Sequence, residues 1–343
     1  MERVGIDPEL SLLLASVRSA LWQKPLQEDA LSQVRTLNAA QWDNLVVASQ
    51  KQTVTGLLFL ALDRLPSEIK VPEGISLALM VAVDRIVRMN ARIHAAEAQL
   101  LDLCAASGLH PVQMKGSTAA ARYPVPDYRE SGDIDLYLPH GEMELARELF
   151  DSAGYAVSGA PDGSMRFCVQ EIEVDLHDHY YDLYVDLRRL PPIPSPEAEL
   201  LMLAAHALKH AAGTGVGLRQ ICDFALADRA YKGDPRQLDA YFHIAGLDLG
   251  VLLLRDFVTA WLNPGEDSAA DREAEAASTP LLKIVAEGGN FGHFSSGRVR
   301  RLYGSSLVRK MDTALRMLRR MPFAFRYAPA GSWRRVFELV RGQ

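Results

Sequence analysis

Two short apolar runs carry the acidic residues of this chain that are best placed for chemistry. Asp133 and Asp135 alternate around Ile134 in GDIDLYL, and Glu173, Asp175 and His177 alternate in EIEVDLH. Residues two apart on extended backbone project from one face, so each run presents its polar groups together. Like charges side by side repel unless a cation lies between them. Asp133, Asp135 and Asp175 on neighbouring strands could hold two divalent ions about 4 Å apart, the arrangement of in-line phosphoryl chemistry. A lone D-x-D more often marks a solvated strand edge, but this one has company. Upstream, Gly116 and Ser117 follow a short extended run and open a small-residue helix, where backbone N–H groups and the positive helix end can face a phosphate.

Positioning these groups requires particular elements. His110 to Met114, Ile134 to Leu138, Met165 to Val169 and Ile172 to Leu176 read as strands, and Glu142 to Ala153 has helical spacing ending at Gly154. Residues 1–107 read as helices: Val83, Ile86, Val87, Ile93, Ala96, Leu100 and Leu103 form one stripe, and Gly108 stands where a helix would stop. LPPIPSP, Leu190 to Pro196, is a connector with Ser195 as N-cap and Pro196 in the first turn of the next helix. The fold class expected is α+β, a small mixed sheet flanked by N- and C-terminal helical regions. The expected divisions are a helical region over 1–107, an α+β core over 108–190, a helical acceptor-side region over 191–297 and a basic helical tail over 298–343.

Composition narrows the classes. The chain has 343 residues, 48% hydrophobic and 23% charged, as expected of a folded globular protein. Three cysteines without a C-x-x-C pair argue against a disulfide framework and a thiolate zinc site. With no secretory signal and no apolar run of spanning length, the expected location is the cytoplasm. No G-x-x-x-x-G-K-[ST] and no G-x-S-x-G occurs, which disfavours P-loop and α/β-hydrolase chemistry.

The run KGSTAAARYPVPDYRESGDIDLYL, Gly154 with Tyr155, and VDLH at Val174 to His177 resemble the uncharacterised bacterial nucleotidyltransferases of the DNA polymerase β-like superfamily. LAAHALKH and LRQICDFAL, within Leu203 to Leu226, are similar to helical segments of that family, and WDNLVVASQKQTVTGLL resembles its N-terminal helices. The resemblance implies that Gly116 and Ser117 touch a nucleotide triphosphate, ATP by default, and that Lys115 and Arg129 neutralise its charge. It also implies that Asp133 and Asp135 bind both Mg2+ or Mn2+ ions, while Asp175 binds the catalytic one and helps deprotonate an acceptor hydroxyl. That acceptor is open among a natural product or peptide, a protein hydroxyl and an RNA end. The competing reading is a non-catalytic nucleotide- or protein-binding module, antitoxin-like or an accessory subunit.

Other signals are weaker. His206 and His210 have i, i+4 spacing but lack the Glu of H-E-x-x-H, so packing or support of the site is favoured over zinc, and a zinc hydrolase using them with Asp223 is a third reading. Asp223 is expected to orient His206, to line the acceptor pocket or to lie on a helix surface. His177 is expected to face the site and His179 to point away. GTGVG at Gly213 to Gly217 reads as a helix connection. Residues 298–343 hold twelve Lys or Arg against Asp312 and Glu338. They are expected to form an amphipathic helix near Leu307 to Met321 that packs through Leu307, Met311, Leu315 and Leu318, docks an anionic partner or meets a membrane surface, and ends at Pro322.

Overall fold

The computed structural model describes residues 7–288 apart from 161–162, 184, 214 and 264–268, together with residues 318–329. Four helices open the chain: α1 (Pro8–Trp22), α2 (Glu28–Thr36), α3 (Ala39–Lys51) and α4 (Thr55–Asp63). Their starts follow from local chemistry. Asp7 accepts from the Glu9 N–H ahead of Pro8, and Asn38 and Gln41 form a reciprocal capping box. The long α5 (Glu73–Ala106) follows and stops before Gly108, whose φ of 74° suits a residue without Cβ.

The middle of the chain builds a sheet from β1 (Val112–Gln113), β2 (Asp133–Tyr137), β3 (Ser158–Gly159), β4 (Met165–Val169) and β5 (Ile172–His177), with α6 (Ser117–Ala120) and α7 (Met143–Ser152) between strands. The strand order is β1-β2-β5-β4-β3. Only β2 and β5 run parallel; the other three pairings are antiparallel, which makes the sheet mixed and the fold α+β. Ile134 and Leu136 of β2, with Val174 and Leu176 of β5, pack beside Ala96 and Leu100 of α5 and Ala146 and Phe150 of α7 in one buried cluster. Strict alternation therefore leaves Asp133, Asp135, Asp175 and His177 on the other face.

The second helical region comprises α8 (Pro196–Ala212), capped by Ser195, α9 (Leu218–Ala230), α10 (Pro235–Ile244), α11 (Asp248–Phe257) with a π-helical turn at Val258–Leu262, and α12 (Ala269–Gly288), of which α8 and α9 cover that face. A single apolar core joins these helices to the first four. Trp22 donates to the carbonyl of Leu262, and the Gln52 amide donates to that of Val285 at 2.8 Å.

Residues 318–327 are helical, so Pro322 does not end the helix as expected. Proline removes one N–H and therefore one intrahelical bond. Against that loss, Phe323, Ala324, Tyr327 and Ala328 are packed in the body, whereas Leu318 is 62% exposed. A Cβ on Gly250 would lie 2.2 Å from the Tyr327 carbonyl oxygen, so glycine there permits the close approach. Leu307, Met311 and Leu315 lie outside the described residues. Among those described, no helix is long and apolar enough to cross a membrane.

Candidate active site

The parallel pairing of β2 and β5 sets Asp133 opposite Glu173, Asp135 opposite Asp175 and Tyr137 opposite His177. Asp135 and Asp175 are therefore direct neighbours across the strands. Asp135, Asp175 and His177 each offer a ligand atom, and these atoms lie within 4.8 Å of one another. Asp133 sits two residues before Asp135 at the more exposed end of the strand.

Charge around Asp135 is finely balanced. Its Oδ1 accepts from Lys115 Nζ at 3.0 Å and lies 2.9 Å from His177 Nε2. Burial favours the neutral acid, but Lys115 and His177 outweigh it and hold Asp135 well below the usual carboxylate range. Asp133 goes the other way: partial burial and repulsion from Asp135 raise its pKa. Burial opposes the Lys115 ammonium too, yet Asp135, Asp133 and Asp182 hold its pKa above the ordinary value. Asp175 accepts from Arg166 Nε at 2.7 Å, and His177 Nδ1 lies 3.2 Å from Ser164 Oγ.

A cavity of about 260 Å³ opens over these groups, bounded by the sheet and by α8 and α9. Gly116 lines it with a φ of 71°, whereas the Ser117 hydroxyl donates to the buried Glu97 carboxylate at 2.5 Å. His177 and His179 both line the cavity. The expectation that His179 points away fails: residues two apart on extended backbone share a face, so His179 follows His177 to the cavity side. His179 bonds Asp178 at 2.7 Å, and Asp182 pairs with Lys209 on α8.

Arg129 and Asp223 are buried together. Arg129 Nε and Nη2 donate to the two Asp223 oxygens at 2.9 and 2.7 Å, Nη1 donates to Ser131 Oγ at 2.8 Å, and Tyr123 donates to Asp223 at 2.7 Å. Asp223 is thus neither a surface charge nor the partner of His206. Sequence order hid this, because the two residues stand 94 positions apart. His206 lines the cavity with its ring 4.4 Å, centroid to centroid, from that of His210. Burial, Lys115 and His210 keep it neutral by lowering its pKa well below the ordinary value. His206, His210 and Asp223 do not gather as metal ligands; among the described residues the group with that spacing is Asp135, Asp175 and His177.

Sequence reasoning missed three cavity cations, Arg166 on β4, Lys209 on α8 and Arg219 on α9. Arg166 was legible as the residue alternating on the polar side of MRFCV. Arg219 had one signal, its place just after the GTGVG connector and one turn before Asp223.

The donor set of two carboxylates and one imidazole suits a divalent cation, and the Lys115 ammonium shows that Asp135 accepts positive charge. No curated protein and no solved structure matches the chain. A family model described as uncharacterised nucleotidyltransferase matches residues 38–263, which takes in the sheet, both cavity helices and α3 to α5. The chain, with its acidic strand pair beneath a polar cavity, belongs to that nucleotidyltransferase family.

Proposed function

We propose that the protein transfers a nucleoside monophosphate from a nucleotide triphosphate, ATP by default, to a hydroxyl acceptor and releases pyrophosphate. The observation that carries this reading is the register of Asp135 opposite Asp175 with His177 beside them, under a cavity that contains Lys115 and Gly116. The acceptor oxygen bonds to the α-phosphorus, the bond from that phosphorus to the bridging oxygen breaks, and the hydroxyl proton passes to Asp175. Asp133, Asp135 and Asp175, with His177, are the residues to hold Mg2+ or Mn2+, which when bound neutralises phosphate charge and acidifies the acceptor hydroxyl. Lys115 and Gly116 face the triphosphate. Arg129 acts through Asp223, fixing α9 against the segment that leads into β2. Ser117 keeps α6 on α5 through Glu97. Neutral His206 and the His179, Asp182 and Lys209 group line the acceptor side, where a natural product, a peptide or protein hydroxyl, or an RNA end would enter.

The test follows pyrophosphate release from each α-labelled nucleotide with Mg2+ or Mn2+ and candidate acceptors, beside Asp135→Asn and Asp175→Asn. Release and label transfer that vanish in both variants support the proposal. Nucleotide binding with no transfer to any acceptor, unchanged by either substitution, would favour a binding module instead.

A further inference from the structure

Arg219 stands out among the cavity cations by what it lacks. Lys115 has Asp135, Arg129 has Asp223, Arg166 has Asp175 and Lys209 has Asp182. Arg219 donates Nη1 to the Glu130 carbonyl at 2.6 Å, and no carboxylate of the described residues forms an ion pair with it. Its Nε is buried without an acceptor. Buried donors are nearly always satisfied in folded proteins, and a buried guanidinium edge left open is costly to maintain. Packing does not explain it, since the Glu130 contact and the bond from the Arg219 N–H to the Gln52 carbonyl already anchor the residue.

The start of α9 is closed to ligands by the protein itself. The Leu218 N–H donates to the Gln52 side chain at 3.0 Å and the Gly217 N–H to Gln220 at 3.0 Å. With these two N–H groups and that of Arg219 committed, the Arg219 side chain is the donor left on this side of the cavity for an anion. Asp133 experiences both Lys115 and Arg219, so the two cations border the same part of the site. Burial and the neighbouring Arg129 also push the Arg219 pKa below its ordinary value, outweighing Asp223 and Asp133.

We propose that Arg219 binds the polyphosphate of the nucleotide, its free guanidinium edge taking two phosphate oxygens across the acidic strands from Lys115. The assignment rests on the nucleotidyl-transfer reading for the identity of the ligand. The planar fork of arginine matches a tetrahedral oxyanion in a way a lysine ammonium does not. Arg129, the cation expected in this role from sequence, has its edge committed to Asp223.

The experiment is calorimetric titration of the full chain with inorganic tripolyphosphate in chelator-containing buffer, for the wild type, Arg219→Gln, Arg219→Lys and Asp135→Asn. Expected are an affinity loss of about 10- to 100-fold in Arg219→Gln, a smaller loss in Arg219→Lys, and retained or tighter binding in Asp135→Asn. In turnover assays, Arg219→Lys should raise KM for nucleotide and leave KM for acceptor unchanged. Folding of each variant is checked by its melting curve, and Arg219→Lys, which retains charge and a donor, supplies the comparison if the glutamine form is unstable. Tripolyphosphate binding unaltered in a folded Arg219 variant would overturn the proposal. Arg219-dependent binding without nucleotide turnover would leave it standing and overturn the transfer reading; turnover that needs Asp135 but ignores Arg219 would do the reverse.

Discussion

Arg129 and Asp223 meet through two parallel hydrogen bonds, each side chain about 5% exposed or less, and so pin helix α9 to the segment entering β2. Neither ion has solvent to fall back on. Asp223→Asn is expected to leave Arg129 uncompensated and to cost about 3–5 kcal/mol of stability. The double variant Arg129→Met with Asp223→Leu should recover much of that loss. Urea unfolding of the three forms checks both statements, and a single variant as stable as the wild type would show that the pair contributes little.

Acid should weaken the protein through the same carboxylates. Burial favours neutral Asp223 and Asp135, but Arg129 and Arg219 at the first, and Lys115 and His177 at the second, hold both below the ordinary value. A depressed folded pKa means that their contribution is complete above the unfolded value of about 3.9 and is lost as pH falls below it. Melting temperature measured from pH 7 downward should therefore drop below about pH 4, and Asp223→Asn should flatten part of that drop.

Asp133 has the opposite sign. Partial burial and Asp135 raise its pKa, so its ionisation opposes folding as pH rises. Asp133→Asn is expected to raise the melting temperature in metal-free buffer while abolishing transfer. Adding Mn2+ should stabilise the wild type, by about 2.7 kcal/mol at a hundredfold excess over Kd, and should do less for Asp133→Asn and Asp135→Asn. Because the imidazole of His177 accompanies the carboxylates, Mn2+ should bind more tightly than Mg2+. Thermal shift titrations with the two ions decide this, and equal shifts in all variants would place the metal elsewhere.

Gly56 gives a test far from the acidic strands. A Cβ there would lie 2.2 Å from the Tyr128 carbonyl oxygen, next to Arg129. Gly56→Ala is expected to displace the 126–128 turn, to destabilise the protein by about 1–3 kcal/mol and to lower activity by shifting Arg129 and Ser131. A crystal structure of the variant with this turn unmoved would refute the coupling.

The acidic strands were legible because alternation reports a shared face without any knowledge of the partner strand. Asp135 and Asp175 could be placed together from DID and VDL, and the structure pairs them across β2 and β5. Pair geometry between distant segments was not legible. Nothing near Arg129 in sequence announces Asp223, and nothing near Ser117 announces Glu97. Strand β3 escaped notice because Ser158 and Gly159 are too short a run, and too polar, to show a period. His179 was legible too, because a residue two beyond His177 falls on the same face, and the expectation that it points away ran against that period. Pro322 was read as a stop because local cost was weighed without the packing of Phe323 and Tyr327 that offsets it.

The bond from Trp22 to the Leu262 carbonyl spans 240 residues, and Gln52 reaches Val285 across 233. A ribosome adding about 5–20 residues each second makes the two halves of this helical core tens of seconds apart. Throughout that interval the apolar sides of α1 and α4 have no late helices to cover them. The nascent chain must therefore stay soluble with half a core exposed, which makes synthesis, more than the finished protein, the stage at which this apolar surface meets water.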